Sequence, residues 1–368
     1  MGKINDELTN SVALTRVPMV GNTLAKYLIN FCGSATEVFK TPKSKLIKIP
    51  EIGEKIADNI KSFKEYKSLE HEFSYIEKNN VQVYFYTDAH YPIRLKQIPD
   101  PPIVLFGMGT TNLNVPKVIS VVGTRNATVY GKEWTEKFIH ELSNTGCLVV
   151  SGLASGIDTF AHRSSLKANL KTVGVLGSGL KNIYPAQNKV LAKQIIEEGG
   201  SILTEYLSDI IPDKTHFPER NRIVAGMCDA IVVVETKKKG GSMITAGLAF
   251  QYDRDVFALP GKITDENAEG CHYLIKTNKA ALIENASDLQ YQMRWDIQTQ
   301  KPVQQQLFVA LTPDERRIFD LLKTKGKTGI DDICFELNLA QHQASMNLLE
   351  MEMKDVIRSL PGKYFEIK

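Results

Sequence analysis

The sequence predicts an α/β protein: an extended, Rossmann-like doubly wound parallel sheet, preceded by a helical domain and followed by a winged-helix domain. Three observations carry this. Short, almost wholly apolar runs rich in β-branched residues recur at 118–122, 147–150, 172–176, 201–204, 230–234 and 256–259, with amphipathic stretches such as 132–142 and 188–198 between them. A signature of apolar-Pro-x-apolar-Gly occurs twice near the start of the chain, at Val17-Pro18-Met19-Val20-Gly21 and Ile49-Pro50-Glu51-Ile52-Gly53. The C-terminal part reads as helices at 313–324, 330–337 and 341–353, then an apolar hairpin with Pro361-Gly362 at its tip. The boundaries expected are a helical domain over 1–80, the sheet domain over 81–298, a linker at 299–306 and the winged helix over 307–368.

Each element has a local reason. In the N-terminal domain the repeated signature describes helical hairpins, with Gly permitting the tight turn and the next helix opening on unpaired backbone N–H groups. Such a hairpin resembles the helix-hairpin-helix (or SAM-like) motif, whose N–H groups can hold a DNA phosphate. Two hairpins packed as a bundle without a ligand is the alternative. The segment from Tyr91-Pro92 to Asp100-Pro101-Pro102 is rich in proline and reads as a stiff connector into Ile103-Val104-Leu105-Phe106. Runs apolar along their whole length, rather than alternating, are strands covered on both faces, which is what a parallel sheet requires. In Leu311-Thr312-Pro313-Asp314-Glu315, Thr312 is placed as an N-cap, Pro313 as the first helical residue and Glu315 as the capping-box partner.

Composition narrows the function classes. With 368 residues, 43% hydrophobic and 24% charged, the chain is neither a disordered polymer nor a fibre. No apolar run reaches the roughly 18 residues of a membrane span, and the opening residues do not read as a secretion signal, so no membrane partner is expected. Five scattered cysteines exclude a disulfide scaffold and a zinc finger and suit a reducing cytoplasm. Net charge is only +3, spread over the whole chain, so nucleic-acid binding would need a local cluster of cations.

Such a cluster is expected at one edge of the sheet. Ligands of open parallel sheets sit beyond the carboxyl ends of the strands. The successive loops there carry Gly123-Thr124-Arg125-Asn126, Ser151 to Asp158, Gly177-Ser178-Gly179-Leu180-Lys181, Lys214 with Phe217 to Arg222, and Lys237-Lys238-Lys239-Gly240-Gly241-Ser242. Glycines expose N–H groups, Ser and Thr add hydroxyls, and Arg offers a planar fork for phosphate. Phe217, between Lys214 and Arg220, offers a face on which a base could stack. A phosphate-rich ligand follows.

Three other ligands fit less well. Gly-Thr-Arg-Asn after the first strand is not the G-x-G-x-x-G of a dinucleotide fold. Gly326-Lys327-Thr328 ends like a Walker A loop, but Leu321 stands where its first glycine belongs. A nucleotide-processing, phosphoribohydrolase-like enzyme would carry P-G-G-x-G-T-x-x-E; aligned on Gly240-Gly241, this chain has Lys239 for the Pro and Gly247 for the catalytic Glu. Asp158, Glu205 and Glu235 lack a partner at fixed spacing, and Asp158 is expected to close the Gly-rich loop at a helix start. His162 is expected to pack or cap, and Cys271-His272 lacks further ligands, so neither metal nor cofactor is expected.

Together, Gly123-Thr124-Arg125, Ser151 to Asp158, Phe217-Pro218-Glu219-Arg220-Asn221-Arg222-Ile223 and Gly241-Ser242-Met243-Ile244-Thr245-Ala246 resemble the bacterial DNA-processing protein family DprA (Smf), over about 90–285. The resemblance implies a non-enzymatic, dimeric protein. It would bind single-stranded DNA without sequence preference and load the RecA recombinase on incoming DNA in natural transformation. It implies DNA contacts from Gly123, Thr124 and Arg125 as a phosphate clamp, from Lys214 and Phe217, from Arg220, Asn221 and Arg222, with one arginine alternatively holding the loop, and from Gly240 and Ser242. The run Lys237-Lys238-Lys239 departs from the family pattern. The helix predicted at 341–353 holds Glu350 and Glu352 but no Lys or Arg, so the winged helix is expected to meet protein rather than duplex DNA.

Overall fold

The β-branched runs form the strands expected of them, and two more segments join the sheet. The computed structural model describes residues 6–295 and 311–367, apart from 65, 67, 68, 355 and 361; the expected linker at 299–306 and Pro361 lie outside the described residues. These form two compact units, one through residue 296 and one from 297.

The first unit holds a nine-stranded sheet: β1 (Gln82–Phe85), β2 (Val104–Gly109), β3 (Val118–Val122), β4 (Leu148–Ser151), β5 (Thr172–Val175), β6 (Ser201–Thr204), β7 (Ala230–Val233), β8 (Asp255–Ala258) and β9 (Ala281–Leu282). Their order is β1-β2-β6-β5-β4-β3-β7-β8-β9. From β6 across to β9 neighbouring strands are parallel, while β2 and β1 add antiparallel pairs beside β6. Alternation along β3 sends Val118 and Val122 to one apolar cluster and Ile119 and Val121 to the other, so both faces are core. The helices Val129–Glu141 and Ile157–Lys167 cover one face through Phe138, Ile139, Ile157 and Ala161. Lys189–Glu197, His216–Gly226 and Gly241–Gln251 cover the other through Ile195, Ile223 and Ala249. The chain leaves β3 towards β4, β5 and β6, then crosses back to β7. The point between β3 and β7 is therefore a topological switch, where such sheets place their ligands.

The two sequence echoes have the same geometry, but glycine plays a different part from the one expected. Met19 (φ 67°) and Glu51 (φ 70°) hold the left-handed backbone of each turn. Gly21 and Gly53 instead sit in extended conformation as the N-caps of helices Asn22–Cys32 and Glu54–Ser62. Val17, Val20, Ile49 and Ile52 are buried beneath them. The helical layer is pinned to the sheet by the Glu72 carboxylate, which accepts from the Ser208 N–H at 2.9 Å and its hydroxyl at 2.7 Å; burial pushes that carboxyl above its usual range. The proline-rich connector contains a short helix, Ile93–Lys96, and Tyr91 donates from it to the Pro102 carbonyl at 2.5 Å.

The second unit has helices Pro313–Lys325, Ile330–Leu337 and Gln341–Met353 and strands β10 (Thr328–Gly329), β11 (Ile357–Leu360) and β12 (Tyr364–Ile367), in the order β10-β12-β11. β10 is a third strand beyond the expected hairpin. The Thr312–Glu315 capping box is present, with the Thr312 N–H donating to the Glu315 carboxylate at 2.7 Å.

Candidate nucleic-acid interface

The switch point opens into a crevice of about 740 Å³. Its walls come from the loops after β3, β4, β6 and β7, and from Tyr184 after β5. Of the residues anticipated from the sequence, Gly123, Thr124, Arg125, Lys214, Phe217, Arg220, Asn221, Gly240 and Ser242 line it; Arg222 does not.

Backbone packing brings these loops together. Gly156 (φ 77°) caps the helix Ile157–Lys167, and a Cβ there would strike the carbonyls of Thr124 and Arg125. Only glycine lets the loops after β3 and β4 meet so closely. The Ile157 N–H donates to the Thr124 carbonyl at 3.2 Å across that contact. Asp158, buried, accepts from the N–H of Gly152 at 2.9 Å and closes the glycine loop, as anticipated. On the far wall Gly240 is the N-cap of Gly241–Gln251, so the first N–H groups of that helix open beside Ser242 with the positive end of its dipole.

The arginines divide into three roles. Arg125 is exposed, and its guanidinium lies 5.3 Å from the centre of the Phe217 ring. Lys214 and Lys239 are exposed along the same crevice. Among the described residues none of these three cations is engaged in an ion pair. Arg220 reaches the floor of the crevice but is only 5% exposed, and its guanidinium donates to the carbonyls of Gly152 and Val175. Burial lowers its pKa to about 10, which leaves it charged at neutrality. Arg222 turns away altogether: it pairs with Glu205 and donates to the Asp100 carbonyl at 2.6 Å, tying down the Asp100-Pro101-Pro102 segment. Two side chains separated by two residues on one helix point about 200° apart, which is why one faces the crevice and the other cannot.

Two other expectations need correcting. The loop at 177–181 contributes nothing to the crevice. A Cβ on Gly177 would come within 3.1 Å of the Phe217 ring, so its glycine serves close packing, and Lys181 pairs with Asp209 at 2.8 Å. The lysine run also splits. Lys237 and Lys239 both line the crevice, but Lys237 pairs with Glu266 at 2.6 Å, while Lys238 lies outside it over the Tyr273 ring. Tyr184, exposed beside Pro185, was not anticipated, because it lies outside every glycine-rich segment and nothing in its local sequence marks it.

The carboxylates that could serve a reaction are committed elsewhere. Glu235 accepts from the Thr128 N–H at 2.9 Å and from its hydroxyl, Glu205 holds Arg222, and Asp158 holds the Gly152 loop. Among the described residues no cluster of His, Cys, Asp and Glu is arranged for a metal. His162 is fully buried with Nδ1 2.7 Å from the Thr172 hydroxyl, and burial lowers its pKa to about 3. The unfolded chain protonates this imidazole near 6.5 while the folded chain does not, so its contribution is complete above pH 6.5 and is lost as the pH falls towards 3. Between pH 7 and 5 the wild-type chain is expected to lose about 2 kcal/mol more stability than His162→Asn, read from urea unfolding at the two pH values.

Residues 82–294 match the family of DNA recombination-mediator protein A. The chain belongs to that family. The winged-helix domain of DprA matches over 302–363 and a helix-hairpin-helix motif over 12–71. Protein Smf of Escherichia coli is 31% identical over 308 residues, covering 82% of each chain. Among solved structures, Streptococcus pneumoniae DprA aligns with a TM-score of 0.65 at 32% identity, over 79% of this chain and 98% of that one. Helicobacter pylori DprA, solved for its unique single-stranded DNA binding mode, aligns with a TM-score of 0.53 at 31% identity, over 59% of this chain and 96% of that one. The residues that line the crevice fall within the range matched to the DprA family over 82–294.

Proposed function

We propose that this chain binds single-stranded DNA without sequence preference in the β3–β7 crevice, and acts as a recombination mediator that loads RecA on incoming DNA. The carrying observation is the crevice itself. Arg125, Lys214 and Lys239, a helix N-terminus and glycine N–H groups surround a slot with aromatic rings at its side, which suits a polyanion whose bases are flat and apolar. Its donors are suited to phosphate oxygens and carry no pattern that would read base edges. The engaged carboxylates favour a binding role over cleavage of a nucleotide. The reading places the protein in the cytoplasm as a homodimer; among the described residues no helix is long and apolar enough to cross a membrane.

The winged helix fits a protein partner. The helix Gln341–Met353 buries Ala344, Leu348 and Met351 and turns Met346, Leu349 and Met353 to the outside. The test is binding of single- and double-stranded oligonucleotides across a salt series, with mass from light scattering, on the full chain and on a chain ended at residue 300. Preference for single strands that weakens with salt, kept by the shortened chain, supports the reading. Duplex preference, or loss of most affinity with the tail, contradicts it.

A further inference from the structure

The segment that carries Lys214, between β6 and the helix His216–Gly226, is irregular from 205 to 215. It is held from two sides. The glycine loop after β5 lines nothing in the crevice itself, yet it touches both ends of this segment. Gly177 lies against His216 and Phe217, and a Cβ on Gly179 would strike the carbonyls of Leu207 and Ser208. The Gly179 N–H donates to the Ile210 carbonyl at 2.8 Å, and the Asn182 amide donates to the Asp209 carbonyl at 3.0 Å. The other side is held from the helical layer. Glu72, on the helix Glu70–Lys78, accepts from the N–H and the hydroxyl of Ser208, and the two residues are only 5% and 1% exposed. The centre of the Tyr75 ring, on the same helix, stands 4.6 Å from the Lys181 ammonium, which pairs with Asp209. Without the Glu72 carboxylate the buried Ser208 N–H is left unpaired, and the loop must open to water to satisfy it.

We propose that Glu72 is a positioning residue for DNA binding: through Ser208 it fixes, from the helical layer, the loop that presents Lys214 to the crevice. The inference rests on the crevice as the DNA-binding site and gives the helical layer a task there. A cation on a loop already held in place reaches a phosphate without the loop first being ordered, and the avoided ordering appears as affinity. The sign of the effect separates this role from plain electrostatics. By charge alone, removing a carboxylate from a chain that binds a polyanion strengthens binding. Losing a positioning contact weakens it.

The experiment is fluorescence anisotropy on an oligo(dT), with the full wild-type chain, Glu72→Ala, Glu72→Gln, Lys214→Ala and Glu72→Ala/Lys214→Ala. All are measured below the unfolding temperature of the least stable variant. Glu72→Ala is expected to bind roughly three- to ten-fold more weakly. Its slope of log K against log salt should be shallower by up to about 0.7, the share of one phosphate. Glu72→Gln, which keeps an acceptor oxygen for Ser208, is expected to lie between wild type and Glu72→Ala. On top of Lys214→Ala, the Glu72→Ala change is expected to cost less than about two-fold, because one residue acts through the other. Equal losses in the two backgrounds would make Glu72 a support of the fold alone and overturn the proposal, as would unchanged or tighter binding by Glu72→Ala. If Lys214→Ala itself binds as the wild-type chain does, the crevice reading falls instead.

Discussion

Arg125→Ala is expected to bind single-stranded oligonucleotides roughly ten- to hundred-fold more weakly than the wild-type chain, by the same factor for every base sequence. Arg125 is exposed in the crevice with no ion-pair partner among the described residues, and the Phe217 ring holds its guanidinium in place. A charge-assisted hydrogen bond contributes about 1.5–3 kcal/mol, which sets that range. Because the side chain is exposed and makes no bond on which the fold relies, its removal should leave the unfolding temperature unchanged. Affinity measured on dT and mixed-sequence oligomers, alongside a thermal melt, checks both halves. A loss that varied strongly with sequence would mean that Arg125 reads bases.

Arg220→Ala is expected to fail in the opposite way, losing stability first and binding as a consequence. Its guanidinium joins the loop after β4 to the end of β5 through the Gly152 and Val175 carbonyls, and it is a neighbouring positive charge to buried Asp158. Gly152 is glycine because a Cβ would come within 2.6 Å of that guanidinium. Removing the side chain leaves two carbonyls and a carboxylate without their cation, at a cost of about 3–5 kcal/mol. The expected readout is a fall in Tm of several degrees. Arg220→Lys should recover part of it, since it keeps the charge but not the fork that spans both carbonyls. An Arg220→Ala chain as stable as wild type but weakened for DNA would make Arg220 a direct contact.

That contrast shows where the sequence was legible. Strands such as Val118–Val122 announce themselves because every residue in them is apolar and buried. β1 (Gln82–Phe85) is half-exposed at the sheet edge and β9 is two residues long, so neither carries such a signal. Strand order depends on the long crossover from β6 to β7, which no local pattern encodes. The crevice was legible as a set of loops because the loops follow strands, and strand ends converge in this topology. Which arginine within Arg220-Asn221-Arg222 faces the ligand depends on the phase of the helix His216–Gly226 and on Glu205 waiting behind it. Lys237, Lys238 and Lys239 look equivalent in the sequence and separate only when Glu266 and Tyr273 come alongside. Tyr184 was invisible for a related reason: one tyrosine in a loop acquires meaning only when Phe217, thirty-three residues on, packs beside it.

The central claim is that free cations from separate loops act together on the phosphates of one strand. The salt dependence of affinity for a dT oligomer measures this directly, because each phosphate neutralised contributes about 0.7 to the slope of log K against log salt for single strands. The Arg125→Ala/Lys214→Ala chain is expected to bind weakly with a slope shallower by about 1.4. A slope and affinity equal to those of the wild-type chain would show that the strand is held elsewhere.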